Sequence, residues 1–363
     1  MKVFLGASPG YQNEWHVFPF AKTLATYLER TGHAWTLDPR EPGIDVAMLV
    51  QWSTDLEAVR ELKSRGVPLV HRLDGRARSL VKNYDKDELN REINALADWT
   101  VFQSEYVRRH VTRPAETFFG TEEPVALDAA RSSLIYNGVD RSVFNERVTP
   151  RAFDDGAELR FLHVAFTSNV RKGVGDVVRL AELLRSNPRV RFVCLGRQAE
   201  DAVWGVRLRR LENVTLLGAT GDRETIAATM RGCSALLFPS RNDYCPNTVL
   251  EAMSCGLPVI YHDSGGTPEL VRDEIDAAGV AMSEPNPVYP LHAVAEHLDE
   301  LSRRAVEMVK RRFTMERMGG AYVELFERLL GHAQRPSGDA VAGGGMVATG
   351  SDASGSVGGR LSA

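Results

Sequence analysis

Two carboxylates eight residues apart, Asp243 and Glu251, bracket a stretch that includes Pro246, Asn247 and Thr248. Proline followed by polar residues suits a first helical turn, so a helix is expected over Asn247–Cys255. Its leading backbone N–H groups, at Asn247, Thr248 and Val249, have no intrahelical acceptor and lie at the positive end of the dipole, an anion site fit for a phosphate. Asp243 just before the helix and Glu251 one turn inside can both face that anion, and carboxylates accept hydrogen bonds from vicinal hydroxyls. A diphosphate flanked by two hydroxyl-bearing groups is the chemistry such a pair fits. Taken singly, the acids read as an N-terminal helix charge and a solvated helix residue; their surroundings favour the site. A second basic segment, Arg171-Lys172, follows the apolar run Leu159–Ala165. Fixed cations there would neutralise an anion in a water-poor cleft.

These residues carry a family resemblance. The stretch from Asp243 through Glu251 to AMSCGLPVI, then Gly265-Gly266-Thr267-Pro268-Glu269, resembles the donor-site signature of retaining glycosyltransferases of the GT-B fold, family GT4 (glycosyl transferases group 1). That signature runs Glu, seven residues, Glu, with Gly-Gly-x-x-Glu downstream. Lys172-Gly173 resembles the family's diphosphate-gripping lysine. Asp243 stands where the family has Glu, Pro246-Asn247 where many members have Gly-Leu, and Thr167 where the family has a diphosphate Arg, with Arg171 the nearby substitute. The resemblance implies a hexose-type sugar moved from a UDP- or GDP-sugar to a glycan, lipid or protein acceptor with retention at the sugar carbon. It implies no metal and no further cofactor. It assigns Thr167, Arg171, Lys172, Gly218, Asp243, Tyr244, Asn247, Thr248 and Glu251 to the donor, the loop from Gly218 to Asp222 reading the base through its backbone. Lys172 and Asp243 then count as catalytic, with the leaving phosphate taking the acceptor's proton.

The first half is more divergent. In VPLVHRLDG the family has a strand ending in His; that position falls on Asp74, three residues after His71. Asp74, at a strand end, is the stronger catalytic candidate, while His71 divides between an acceptor-side role and a packed strand residue. The first loop offers Gly10 and Glu14 on the acceptor side.

The elements that must position these residues alternate. Strands are expected at Lys2–Ala7, Asp45–Gln51, Val67–Leu73, Trp99–Gln103, Ser133–Tyr136, Leu159–Ala165, Val190–Leu195, Val214–Leu217, Ala235–Phe238 and Pro258–Tyr261. Helical periodicity lies between them, at Glu14–Arg30, Thr54–Arg65, Asp87–Ala97, Gly173–Ser186, Glu200–Leu211, Arg223–Arg231 and Asn247–Cys255. Alternation of this kind implies right-handed βαβ units and parallel sheets covered on both faces. The expected fold class is therefore α/β, with two Rossmann-like domains facing a cleft. The boundaries are 1–150 for the acceptor-side domain and 151–310 for the nucleotide-sugar domain, with a helix over 311–331 crossing back to the first. The Gly-, Ser- and Ala-rich tail at 332–363 is too poor in large apolar residues to offset its ordering entropy, and is expected to be disordered.

Composition narrows the alternatives. With 363 residues, 43% of them hydrophobic, and a net charge of −4, the chain suits two globular domains and lacks the dense cationic face of a nucleic-acid partner. Four cysteines without a CxxC pair point to free thiols in a reducing cytoplasm. The N-terminal apolar run is short for a signal peptide, and no stretch reaches a membrane span. Asp85-Lys86-Asp87 is a DxD that reads more simply as a helix N-terminus. Arg108, Arg109 and Arg113, with Tyr106 and Val107, could form a small basic amphipathic patch on an anionic inner membrane face, though a solvated face is the simpler reading. A nucleotide-sugar epimerase and a non-catalytic nucleotide-sugar-binding protein remain open beside the transferase.

Overall fold

A computed structural model of the chain describes residues 1–6, 19–76, 84–117, 120–125, 131–146, 158–166, 170–282 and 286–333. Gly10, Glu14 and Thr167 lie outside the described residues, as do most of the expected linker and tail. The first unit runs β1 (Lys2–Gly6), α1 (Pro19–Arg30), β2 (Ala34–Thr36), β3 (Val46–Val50), α2 (Leu56–Ser64), β4 (Leu69–Leu73), α3 (Tyr84–Leu96), β5 (Trp99–Phe102) and α4 (Glu105–Thr112). A two-stranded antiparallel ribbon, β6 (Ala115–Thr117) with β7 (Gly120–Glu122), and then β8 (Ser132–Leu134) complete it. Among the described residues its main sheet is parallel with order β2-β1-β3-β4-β5-β8.

The second unit runs β9 (Leu159–Ala165), α5 (Val174–Leu183), β10 (Val190–Gly196), α6 (Gly205–Leu208), β11 (Val214–Leu216), α7 (Arg223–Arg231), β12 (Ala235–Phe238), α8 (Asn247–Ser254), β13 (Val259–Tyr261), α9 (Thr267–Val271) and β14 (Gly279–Ala281). α10 (Tyr289–Glu296), α11 (Leu298–Arg312) and α12 (Met315–Ala333) follow. Its parallel sheet has order β11-β10-β9-β12-β13-β14, so the order reverses between β9 and β12. Ligands in such sheets bind off the carboxyl ends of the strands at that reversal.

The central strands are short, apolar and largely buried on both faces, as parallel sheets require, while the edge strands β2, β8 and β11 are partly exposed. Val46–Val50 is buried throughout. One face of the first sheet packs under α1 and α12, with Leu24, Leu28, Tyr322 and Phe326 fully buried; the other packs under α2 and α3 through Val59, Leu62 and Ile93. The second sheet is covered by α7, α8 and α11 on one face and by α5 and α10 on the other. The C-terminal α12 thus follows the second unit in sequence and lies in the core of the first. Val139 bridges Thr314 at that crossing.

The Glu200–Leu211 helix is a correction. A 3-10 turn at Gln198–Glu200 and the short α6 replace it. The carboxylate of Asp201 accepts from the N–H of Val203 and Trp204 at 2.9 and 2.8 Å, a local turn that competes with helix. Strands β2 and β14 and helix α4 were not expected; each is short and edge-lying or polar, with little periodicity to betray it.

Candidate active site between the two sheets

A cavity of about 600 Å³ opens between the two units. The second unit lines it with the strand ends Val164–Phe166 and Phe238, with Lys172, and with the segment from Asp243 to Thr248 and Glu251. The first contributes Phe20, Lys22, Arg72, Asp74, Gln103 and Asn137. The cavity therefore sits where the strand order of the second sheet reverses.

On the second wall, β12 runs into a loop whose backbone is fixed by close approach. Asn242 adopts φ 54°, a left-handed conformation that Asn tolerates better than most residues. A Cβ at Gly265 would lie 2.4 Å from the Asp243 carbonyl oxygen, and one at Gly266 would lie 2.0 Å from that of Tyr244. The glycine pair lets the Gly-Gly-Thr-Pro-Glu turn press against the loop that carries Asp243. Asp243 Oδ2 accepts from Lys172 Nζ at 2.8 Å, and its Oδ1 accepts from the Tyr244 backbone N–H at 3.0 Å. An ammonium has three donors, so Lys172 can keep Asp243 and still meet a ligand oxygen. Lys172 is itself seated from behind: its carbonyl takes the Nε2–H of buried His163 at 3.0 Å, while Gln198 Nε2 donates to His163 Nδ1 at 3.1 Å. Burial lowers the His163 pKa to about 4, which keeps the ring neutral in that relay.

Helix α8 opens at Asn247 with Pro246 as cap, no side-chain capping bond and no acid in the first turn. The N–H of Val249 bonds the Pro246 carbonyl at 3.1 Å, so the anion site expected from three amides reduces to those of Asn247 and Thr248. Glu251 follows one turn on. Burial raises its pKa, and the charge of Arg223 opposes that rise.

Several expectations need correcting. His71 is fully buried; its Nε2 bonds the Gln51 carbonyl at 3.1 Å and its Nδ1 accepts from Asn94 Nδ2 at 3.2 Å. Burial lowers its pKa to about 4. Strand side chains alternate, so Arg72 and Asp74 share the cleft face that His71 turns away from. Arg171 does not line the cavity although Lys172 does; its charge acts instead on Tyr106. Gly218 is also off the cavity, which is lined by Ala219, Thr220 and Gly221 beyond it. The Gly218 carbonyl is taken by the Gly196 N–H at 2.8 Å. Tyr244 borders the cavity, but its ring is committed to the first unit. A Cβ at Gly75 would meet that ring at 2.3 Å, and the Tyr244 hydroxyl donates to the Arg76 carbonyl at 2.9 Å. Asp87 of the DxD is buried within α3, and Arg108 pairs with Glu105 at 2.8 Å.

Sequence reasoning missed Arg197 and Arg223 on the second wall and Lys22, Arg72, Gln103 and Asn137 on the first. Arg223 lies with its guanidinium carbon 5.0 Å from the Phe144 ring centre, its Nε buried without a hydrogen-bond partner among the described residues. The only local signal was its position directly after the cap Asp222.

The two walls are tied together. Glu269 accepts from the N–H of Glu105 and Tyr106 at 2.8 and 2.7 Å, capping α4 of the first unit, and from the Tyr136 hydroxyl at 2.9 Å. Ser104 Oγ donates to the Tyr244 carbonyl at 2.8 Å, and Asn137 Nδ2 to that of Cys245 at 2.9 Å.

Comparison with known proteins bears on this arrangement. Residues 159–301 match a family model described as glycosyl transferases group 1. A phosphatidylinositol N-acetylglucosaminyltransferase component from Arabidopsis thaliana is 27% identical over 183 residues, 48% of this chain and 38% of that protein. A D-inositol 3-phosphate glycosyltransferase from Mycolicibacterium gilvum is 28% identical over 174 residues, 44% of this chain and 38% of that protein. The chain thus spans about two fifths of the length of these relatives. Among solved structures, a sucrose-phosphate synthase from Thermosynechococcus elongatus superposes with a TM-score of 0.70 at 16% identity, covering 92% of this chain and all of that one. Anabaena Alr3699/HepE in complex with UDP-glucose superposes with a TM-score of 0.64 at 16% identity, covering 90% of this chain and all of that one. The fold is that of the GT-B glycosyltransferases.

Proposed function

We propose that this chain is a glycosyltransferase that moves a hexose-type sugar from a UDP- or GDP-sugar to a glycan, lipid or protein acceptor, with retention and without a metal. One observation carries the reading: Lys172, Asp243, the open amides of Asn247 and Thr248, and Glu251 converge on one cavity at the strand-order reversal. The lysine and the helix amides suit a diphosphate. Asp243, on the Lys172 side, suits the sugar hydroxyls, and Glu251, a helical turn deeper, the ribose. A UDP-glucose complex among the similar folds makes UDP the first nucleotide to try. The named relatives differ widely in acceptor, from phosphatidylinositol to inositol phosphate, so the acceptor class stays broad.

In the transfer, the bond from the sugar's C1 to the β-phosphate oxygen breaks and the acceptor oxygen bonds C1 on the same face. The acceptor's proton leaves on the departing phosphate, whose charge Lys172 and the α8 amides stabilise. Asp74 faces this event from the first unit. The four cysteines are free and buried, which suits a cytoplasmic enzyme, whether or not it touches the inner membrane face. Among the described residues no helix is long and apolar enough to cross a membrane.

The test is a thermal-shift titration with UDP, GDP and ADP, with and without EDTA, on the protein and on Glu251→Ala. Selective stabilisation by one nucleotide, indifferent to EDTA and lost in the variant, is expected. Stabilisation only without EDTA would contradict metal independence. No shift at millimolar nucleotide would contradict the donor site. Binding without any turnover of the matching nucleotide-sugar would favour a binding protein, and an epimerised sugar an epimerase.

A further inference from the structure

The first wall holds a buried charge that the reaction as proposed does not use. Arg72 is 1% exposed, yet it borders the cavity. Its Nε donates to Asp74 Oδ1 at 2.6 Å, its Nη2 to Gln103 Oε1 at 2.7 Å and to Asn137 Oδ1 at 2.8 Å. Its Nη1 reaches the Tyr322 hydroxyl at 3.4 Å, and its guanidinium carbon lies 3.5 Å from the centre of the Phe20 ring. The planar fork thus gathers β4, the end of β5, the segment after β8, and helices α1 and α12. A charge so buried is tolerable only when paired and fully hydrogen-bonded.

The pairing is asymmetric in a way that points to the cavity. Asp74 gives Oδ1 to Arg72, while its Oδ2 has no partner among the described residues. Gln103 Nε2 holds the Asp74 carbonyl at 2.9 Å, which fixes the residue from its backbone as well. Asn137, the other acceptor of the fork, donates its own Nδ2 to the carbonyl of Cys245, two residues beyond Asp243. A hydrogen-bonded chain therefore runs Asp74–Arg72–Asn137–Cys245, from the carboxylate of one wall to the loop of the other.

We propose that Arg72 is a positioning residue. It pins Asp74 through Oδ1, leaves Oδ2 to accept a hydrogen bond from the incoming acceptor at a hydrogen other than the one the phosphate takes, and ties that orientation to the seating of the Asp243–Pro246 loop. Lysine keeps the charge but offers no planar fork that could reach Asp74, Gln103 and Asn137 together. The inference rests on the transferase reading of the cavity.

The test uses the full chain, UDP as the binding probe, and UDP-glucose with water as the acceptor, read as UDP release. The variants are Asp74→Asn, Arg72→Gln, Arg72→Lys and the double Arg72→Gln/Asp74→Asn. Asp74→Asn and Arg72→Gln are each expected to slow turnover at saturating UDP-glucose by about 100-fold, with UDP affinity changed less than about threefold. The double variant is expected to be no slower than the slower single one, since residues acting as a unit do not add. Arg72→Lys is expected to lose at least about tenfold in turnover with UDP affinity and melting temperature retained; it decides the matter if Arg72→Gln does not fold. Wild-type turnover in Arg72→Lys, losses that multiply in the double variant, or UDP affinity falling in step with turnover would each overturn the role of Arg72. A wild-type protein that binds neither UDP nor GDP, and releases neither from UDP-glucose or GDP-glucose, would overturn the transferase reading itself, and Arg72's role with it.

Discussion

The two walls of the cavity are built on opposite plans. The second wall draws its carboxylates and open amides, with Tyr244 and Pro246, from one loop and the helix it enters, Asp243 to Thr248 and Glu251, with Lys172 brought alongside by the neighbouring strand and with Arg197, Ala219–Gly221 and Arg223 added at its margin from other segments. The first wall draws Phe20, Lys22, Arg72, Asp74, Gln103 and Asn137 from four separate segments, locked by a single guanidinium. A site made from one loop–helix unit uses backbone amides and short-range charges, so it can be specified locally. A site made from dispersed segments depends on packing for its geometry, and Arg72 supplies that geometry from inside the core. The difference teaches that one wall is suited to gripping an invariant charged group, while the other sets the orientation of what meets it.

The largest expected effect tests that division directly. Lys172→Ala should weaken UDP binding about 10- to 100-fold, because a charge-assisted contact is lost and Asp243 is left unpaired. It should also lower UDP-glucose turnover by about 100- to 1,000-fold, so calorimetry and UDP release fall together. A Lys172→Ala protein that kept UDP affinity while losing turnover would erase the contrast with Asp74. A smaller effect is expected where the walls meet. Glu269→Gln weakens the carboxylate cap on α4 and the bond from Tyr136, at a cost of about 1–3 kcal/mol. The melting temperature should fall by a few degrees, read by differential scanning fluorimetry. An unchanged melt would mean that the Ser104 and Asn137 contacts hold the walls together alone.

The smallest effect sharpens a likeness beneath the contrast. Each sheet buries one neutral histidine behind its cleft strand, His71 in β4 and His163 in β9, and burial lowers both pKa values to about 4. An unfolded histidine titrates near 6.5. Above that pH neither state is protonated and the histidines are neutral toward stability. As pH falls from about 6.5 toward 4 the unfolded chain takes up protons that the native rings refuse, so stability falls through that window. Melting temperature measured against pH should show this decline, and His71→Gln and His163→Gln should each flatten part of it. A slope that neither variant alters would assign the acid sensitivity to other groups.

The alternation of apolar strands with amphipathic helices made the two parallel sheets legible, because parallel strands covered on both faces leave continuous apolar runs such as Val46–Val50. The second wall was legible because Asp243 and Glu251 flank one helix start, and the Gly265-Gly266 pair is demanded by backbone contact with the same loop. Harder to read were elements defined by partners rather than by pattern. β2 has three residues and exists by pairing with β1. α4 takes its start from Ser104 and from Glu269, 164 residues beyond Glu105. Arg171 and Lys172 are adjacent in sequence, and only the turn at Val170–Lys172 decides which of them reaches the cavity.

By itself, the sequence determined the class of fold, the strand–loop–helix unit that carries Asp243 and Glu251, and the glycines on which that unit rests, since each depends on residues close along the chain. The tertiary structure alone decided that His71 is sealed behind the strand, that Tyr244 braces the walls, and that Arg72, within the expected strand Val67–Leu73, joins Asp74 to Asn137 and Cys245. The physical reason is reach. Local order follows from dihedral preference and periodicity, whereas a buried charge takes its partners from wherever the packed chain brings donors and acceptors within about 3 Å of one another.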